Sequence, residues 1–415
     1  MPTDSQSIGH LGREIAELAA SFSKGSEDKT AVQRKLVVAA EKLAIAVREP
    51  DENVYHIATQ IAHNAALRSV IAMGVFQALP QDNTPMAIEH LATRLDVNQD
   101  LLDRLMRALA STHMFTNPAP RQYAHTPLSR CYMAEPLRAM TAQMYDFTCK
   151  GVFAMPQFFR EHQFTWAGDY DDGPFQLGAQ TRLGFWEYLH EKPERMQLFS
   201  AGMRATVTIG SGRASGVFPF GDALSGCAET DIAMVDVGGG RGQALEAVRQ
   251  DWPLIKGRLI LQDLAHVIDD GAAQGHPEWM ETSRASFFQP QEIQGAYIYY
   301  FRRIFHDWDQ VKGRAILMNT KQAMGRHSRV LIADMALPAV DAPRDMVLQD
   351  LNMMSFGGME RSEQQWRELI ESAGLVMRKI WHGEQGAKHA IVEAVLPGFL
   401  GDEDHGSNVN RVLHA

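Results

Sequence analysis

Apolar positions change their rhythm three times along the chain. In the opening segment they recur at helical spacing among charged residues (Ile15, Leu18, Ala19, Phe22), and a second helical stretch runs from Lys35 to Val47. Both read as helices that face solvent or pack on a partner. From 57 to 135 the pattern tightens. Ala65 to Phe76 is apolar enough for a buried helix. Thr84-Pro85 predicts a helix start, with Thr84 as cap and Pro85 at the first helical position, running to Ala92. Asn98 to Leu109 makes a third helix, and a strand pair around Phe115 and Tyr123 closes a winged-helix unit. Such a unit serves DNA binding or dimerisation. Here the helix in the recognition position carries Asp100 and Asp103 beside Arg104 and Arg107, a poor match to a phosphate lattice, and dimerisation is favoured.

Between 136 and 224, aromatic and methionine side chains crowd the helical stretches (Met140, Met144, Phe153, Phe158, Trp166, Phe185). Most read as core and a few as the wall of an apolar pocket; the pattern does not separate them. From about 230 the rhythm becomes strand, helix, strand. Predicted strands are Ile232–Val237, Arg258–Gln262, Ala296–Tyr300, Arg329–Ala333, Met377–Trp381 and Ala390–Ala394. Helical patterns at Gln243–Gln250, from Ala265 to Asp270 and at Gln310–Met324 lie between the first four. This alternation predicts an α/β fold with a doubly wound parallel sheet, whose ligand sits at the carboxyl ends of the strands.

The loop after the first of these strands is rich in glycine: Asp236-Val237-Gly238-Gly239-Gly240-Arg241-Gly242-Gln243. The dinucleotide pattern GxGxxG would need glycine where Gln243 stands, and the phosphate-loop pattern fails as well. What remains is DxGxGxG, formed by Asp236, Gly238, Gly240 and Gly242. The second strand ends at Asp263, about 20 residues beyond the loop, where a carboxylate holds a ribose hydroxyl pair. Its bland alternative is a helix cap before Leu264 and Ala265. Three further segments carry chemistry: Arg302 to Asp309 with His306, Asp334 at the next strand end, and Gly357 to Ser362 with Glu360. Alone, His306 reads equally well as a structural histidine.

Composition narrows the setting. The chain has 415 residues, 40 Lys plus Arg against 50 Asp plus Glu, and a formal net charge of -10. Its 45% hydrophobic and 22% charged residues are those of a globular protein and exclude fibrous or wholly disordered classes. The acidic balance argues against nucleic acid as partner. Three scattered cysteines without CxxC spacing argue for a reducing compartment and against a zinc site. No apolar run suits a membrane span and the N-terminus carries no secretory pattern, so the expected location is the cytoplasm.

Taken together, VDVGGGRG, the QDLAHVI segment, RRIFHDW and GGMERSEQQW resemble the S-adenosyl-L-methionine (SAM) dependent small-molecule O-methyltransferases of plant and fungal type, the caffeate-type class. The resemblance runs from about 57 to 396. It implies a Rossmann-like cofactor domain, a winged-helix dimerisation domain, a homodimer and SAM as cofactor, with no metal. Carried over by position, His306 is the general base, Asp334 the acid that orients it and Glu360 a second flanking carboxylate. Cofactor contacts fall on Asp236, Gly238, Gly240, Gly242, Asp263, Leu264, Ser286, Phe287 and Arg302. The chemistry suits these residues. A phenol with pKa near 10 is a poor nucleophile at neutral pH, and a neutral histidine can accept its proton as the new bond forms.

Two departures from the family pattern stand out. Ser286 occupies the place of an acid that contacts the adenine amino group, with Phe287 still able to pack on the ring and Arg302 placed to compensate. The chain also continues past Gly398 into a tail, for which docking near the substrate cavity is the expectation. The division expected is 1–135 for dimerisation, 136–224 for substrate-facing helices, 225–398 for the SAM-binding fold and 399–415 for the tail. Three functions compete: methyl transfer to a phenol or enol of a secondary metabolite; a pericyclic or isomerising reaction on the same scaffold, as in some fungal members; and a SAM-sensing regulator.

Overall fold

The computed structural model describes residues 5–24, 29–166, 168–208, 216–272, 275–383 and 390–401. They divide into two compact units. The 136–224 segment is shared between them: 136–146 and 194–205 cluster with the first unit, while 147–193 and the stretch from 206 belong to the second.

The first unit is helical. Helices α1 (Ser5–Ser23) and α2 (Lys29–Val47) pack along each other, and α3 (Pro50–Met73) follows, with Pro50 in its first turn and Gly74 closing it in the left-handed region at φ +78°. Only the last third of α3 is buried, through Ala66, Leu67 and Val70. A short helix, α4 (Val75–Ala78), leads to strand β1 (Met86–Ala87). Helix α5 (Ile88–Leu95) therefore starts later than Thr84-Pro85 predicts. Met86 and Ala87 pair with Tyr123 and Gln122 instead, a case of tertiary pairing overriding a local start signal. Asn98 caps α6 (Gln99–Ala110), its side chain accepting from the amides of Asp100 and Leu101. Strands β2 (Phe115–Ala119) and β3 (Gln122–His125) complete the wing. Asp103 of α6 turns inward, where the Tyr123 hydroxyl donates to Oδ1 at 2.8 Å, and Arg107 and Arg121 pair with its other oxygen.

The second unit is built on a seven-stranded sheet. Its strands are β4 (Ile232–Val237), β5 (Arg258–Asp263), β6 (Met280–Arg284), β7 (Ile298–Arg302) and β8 (Arg329–Asp334), then β11 (Val376–His382) and β12 (Ala390–Val395). A separate two-stranded pairing, β9 (Ala336–Leu337) with β10 (Arg361–Ser362), lies between β8 and β11 in the chain. The sheet order is β11-β12-β8-β7-β4-β5-β6. Strands β4 to β8 are parallel and β12 runs against them. The order reverses between β4 and β7, so the loops after these two strands diverge and leave the crevice where doubly wound folds hold ligands. Central strands β8 and β12 are buried along their whole length. Edge strand β6, with the polar sequence METSR, escapes a reading based on apolar runs.

Among the described residues no helix is long and apolar enough to cross a membrane, and no cluster of three or more His, Cys, Asp or Glu could hold a metal ion. Residues 402–415, most of the tail, lie outside the described residues. The stretch just before them is anchored at the amino-terminal edge of the sheet. Phe399 lies against the guanidinium groups of Arg329, 4.6 Å away, and Arg378, and the Leu400 amide donates to Arg326 O. Arg329 opens β8, whereas Asp334, at the strand's far end, faces the crevice side.

Candidate active site

The glycine loop leaves β4 with three residues in the left-handed region: Gly238 at φ +71°, Gly240 at +61° and Gly242 at +83°. At Gly238 a Cβ would meet Ile304 Cδ1 at 2.6 Å, so the loop touches the segment that follows β7. At Gly240 the space is open, its nearest neighbour being Gln243 Oε1 at 3.9 Å. Asp263, at the end of β5, ties the loop down: the Gly240 amide donates to Oδ2 at 2.8 Å and the Leu264 amide to Oδ1 at 2.7 Å. Burial raises the pKa of Asp263 while those two amides pull it back. The carboxylate keeps unused lone pairs for a ligand hydroxyl, and its bond to the Leu264 amide satisfies the start of helix Ala265–Ala272 as well.

Asp236 is fully buried and neither carboxylate oxygen has a hydrogen-bond partner among the described residues. Burial pushes its pKa up to about 7, with the charge of Arg302 opposing and that of Asp263 adding to the rise. A buried carboxylate without donors marks a place where a polar or cationic group is missing. Phe287 lies beside the loop, its Cε1 3.5 Å from where a Gly238 Cβ would stand. Ser286 caps its own turn, Oγ accepting from the Phe288 amide at 3.2 Å. Open backbone at Gly240, the anchored Asp263, the orphan Asp236 and the ring of Phe287 form a cradle of the kind an adenosyl group with a cationic sulfonium fits.

Across the crevice, β7 runs into a 3-10 turn, Phe305–Asp307. His306 Nδ1 stands 2.9 Å from Glu360 Oε1, and Nε2 3.5 Å from Asp307 Oδ1. The carboxylate bonded to the ring is thus Glu360, where position implied Asp334. Asp334 Oδ2 accepts the Phe305 amide at 3.1 Å and shapes the turn; its other oxygen has no partner among the described residues. The reason lies in the β9–β10 pairing, which sets Arg361 opposite Ala336 and brings the preceding Glu360 up to the ring. The Glu360 amide donates to Asp350 Oδ1 and the Met359 amide to His306 O. Burial by itself lowers the pKa of His306. The charges of Glu360, Asp307 and Asp334, together with the bond to Glu360, overturn that and hold it above its ordinary 6.5.

Three residues went unassigned in the sequence. Asp307 stands half-buried beside Nε2, and desolvation pushes its carboxyl above the usual range; its only signal was adjacency to His306. Arg303 sits at φ +56° with its charge among Asp334, Glu360 and Asp307, and burial lowers its pKa. Arg361 is wholly buried. Aromatic side chains from the middle segment and from loops of the sheet unit pack in pairs near this centre. Tyr170 and Trp308 are 4.8 Å apart, Phe185 stacks on Phe356 at 4.4 Å, and Phe288 meets the edge of Trp308.

The model of the O-methyltransferase domain matches residues 175–376, and that of the O-methyltransferase dimerisation domain matches 55–135. An O-methyltransferase of Pestalotiopsis microspora is 49% identical over 403 residues, covering 97% of this chain and 99% of its own. The crystal structure of OxaC in complex with SAH and oxaline superposes with a TM-score of 0.86 at 30% identity, covering 94% of this chain and 99% of that one. A structure described as a pericyclic reaction enzyme gives 0.84 at 25% identity, covering 95% and 100%. The chain belongs to the O-methyltransferase family, and its cofactor is S-adenosyl-L-methionine.

Proposed function

We propose that this methyltransferase alkylates a phenol or enol oxygen of an aromatic or polyketide-type secondary metabolite, with His306 as general base. The observation that carries the reading is the Glu360–His306 contact at 2.9 Å. An ionised carboxylate only accepts, so Nδ1 holds the hydrogen and Nε2 is the nitrogen left to exchange a proton. SAM supplies, when bound, an electrophilic methyl group on a sulfonium leaving group. The chain's part is to hold an oxygen in line and to take its proton. As Nε2 accepts the proton the ring becomes cationic, and Glu360 and Asp307 on its two sides stabilise that cation. The residues proposed to hold the cofactor are Asp236, the backbone of Gly238, Gly240 and Gly242, Asp263, Leu264, Ser286, Phe287 and Arg302. The aromatic side chains of Tyr170, Trp308 and Phe185 suit a flat, apolar substrate and keep water from it.

A second reading, a pericyclic or isomerising reaction without methyl transfer, is favoured by the likeness to the pericyclic reaction enzyme and by Ser286, at a place where the family resemblance implies an acid. One experiment separates the two. Incubation with methyl-labelled SAM and aromatic or polyketide phenols is expected to give a labelled product heavier by one methylene unit. In His306→Ala the rate of its formation should fall about 10³-fold. Product of unchanged mass, formed without SAM consumption, would establish the second reading instead.

A further inference from the structure

Three consecutive residues of one short segment grip the histidine turn. The Met359 amide holds His306 O and the Glu360 carboxylate holds Nδ1. Arg361 spans the turn from below: Nη1 donates to Phe305 O at 2.7 Å and Nη2 to Trp308 O at 2.8 Å, the two carbonyls that bracket His306. The guanidinium is fully buried and its Cζ lies 5.2 Å from the centre of the Trp366 ring. Trp366 is itself fixed by its indole N–H to Met335 O at 2.8 Å.

Burying a guanidinium is costly, and arginine is rarely found there without a carboxylate in direct contact. Here both bonds go to backbone carbonyls, and Nε has no hydrogen-bond partner among the described residues. The carboxylates of Asp334, Glu360, Asp309 and Asp350 act on it through their charge. Burial lowers its pKa to about 10, which leaves it cationic at neutral pH. A stabilising role alone would be met more cheaply by an apolar side chain of similar volume. What an apolar side chain would not do is hold two carbonyls, three residues apart, at a fixed separation. The planar fork of arginine does this, and the single ammonium of lysine does not.

The geometry points to Arg361 as a positioning residue that locks the 305–308 turn so that the His306 ring keeps its contact with Glu360. The inference rests on the reading of His306 as the base. Without the fork, the turn keeps the Asp334 contact at the Phe305 amide and the Met359 contact at His306 O but loses the two bonds that fix its carbonyls. The ring then drifts relative to the carboxylate, and a misplacement of the order of 1 Å costs about 10²-fold in rate.

The test is Arg361→Lys, which keeps charge and most of the volume. The expected result is a kcat lowered about 10²-fold with KM and the SAM dissociation constant within about threefold. The His306 imidazole, followed by NMR in labelled protein, should titrate at lower pH than in the wild type. Unchanged kcat and unchanged titration would overturn the inference. So would losses of kcat, SAM affinity and melting temperature in parallel, which mark a residue needed only for folding. Should Arg361→Lys fail to fold, Trp366→Phe goes through the same measurements. It frees one side of the guanidinium, and the same two signatures, weaker, are expected of it, their absence counting against the inference. If His306→Ala keeps its rate, the reading of the base fails; the NMR titration still reports on the positioning by Arg361.

Discussion

The two units treat the same residue types in opposite ways. In the sheet, Ile298 and Ile391 are buried to within 1%. On α3, Ile57 and Ile61 are 70% and 58% exposed, and Val54, Tyr55 and, on α2, Val37, Val38 and Ile45 share that exposure. Each such side chain left in water forgoes about 1.5–3 kcal/mol of burial. The sheet reverses the rule for charges as well, keeping Asp236, Asp334, Glu360 and Arg361 away from water. The helical unit leaves apolar surface uncovered, the mark of an interface waiting for its partner. The sheet unit also leaves apolar side chains such as Leu254 and Val311 in water, but it alone spends stability on a cluster of buried charges, the mark of a chemical site. The position of the exposed apolar residues agrees with this, since Tyr55, Ile57 and Ile61 fall inside the match to the dimerisation domain.

The largest effect should come from breaking the buried-charge side. Glu360→Gln keeps the shape of the side chain and removes its charge from Nδ1 at 2.9 Å. The expected loss in kcat is about 10²- to 10³-fold. The pH profile supplies the sign. Glu360 is among the charges that raise the His306 pKa, and a base works when deprotonated. Removing the charge therefore moves the acid limb of the kcat profile to lower pH, even as the plateau falls. A limb that stays where it was would show that Glu360 does not act on the ring.

How much of this contrast was legible in the sequence differs between its parts. The strand rhythm from 232 onward, the glycine loop and the histidine segment stand out because each is a local pattern. Strand β6 does not, since an edge strand with exposed Glu281 and Thr282 lacks the apolar run that betrays its neighbours. The choice between Asp334 and Glu360 as the partner of Nδ1 was not legible either. It depends on the pairing of Arg361 with Ala336, a contact between segments 25 positions apart in the chain. Arg361 looks like a surface residue in a sequence, and only burial shows otherwise. The exposed face of α3 is the reverse case. The buried helix read from the sequence begins at Ala65 and assigns no role to Val54, Tyr55, Ile57 and Ile61, which a single chain leaves uncovered.

An intermediate effect is expected from the other side of the contrast. Ile57→Glu with Ile61→Glu places two charges on the exposed apolar face of α3. If that face is covered by a second copy, the dimer dissociation constant rises about 100-fold or more, an interface cost of about 3 kcal/mol. Sedimentation or size-exclusion with light scattering over a dilution series measures it. The secondary structure of the chain should be unchanged, because neither residue touches the core. A dimer of undiminished strength would place the interface elsewhere and leave the exposed face unexplained.

The smallest effect sharpens the comparison inside the helical unit, which has one buried acid of its own. Asp103 is 6% exposed, and the Tyr123 hydroxyl, itself fully buried, donates to it at 2.8 Å. Unlike Glu360, this carboxylate is shared with Arg107 and Arg121, at 3.2 and 3.9 Å. Tyr123→Phe deletes one neutral donor and leaves both cations in place. The carboxylate stays paired, so the cost should be that of one hydrogen bond to a charged group, about 1–2 kcal/mol in chemical denaturation. Activity at saturating substrate should be unchanged, since the pair lies outside the sheet unit that carries His306. A loss of kcat in Tyr123→Phe, at temperatures where the variant is folded, would mean that the two units do not divide the work of assembly and chemistry as their buried residues indicate.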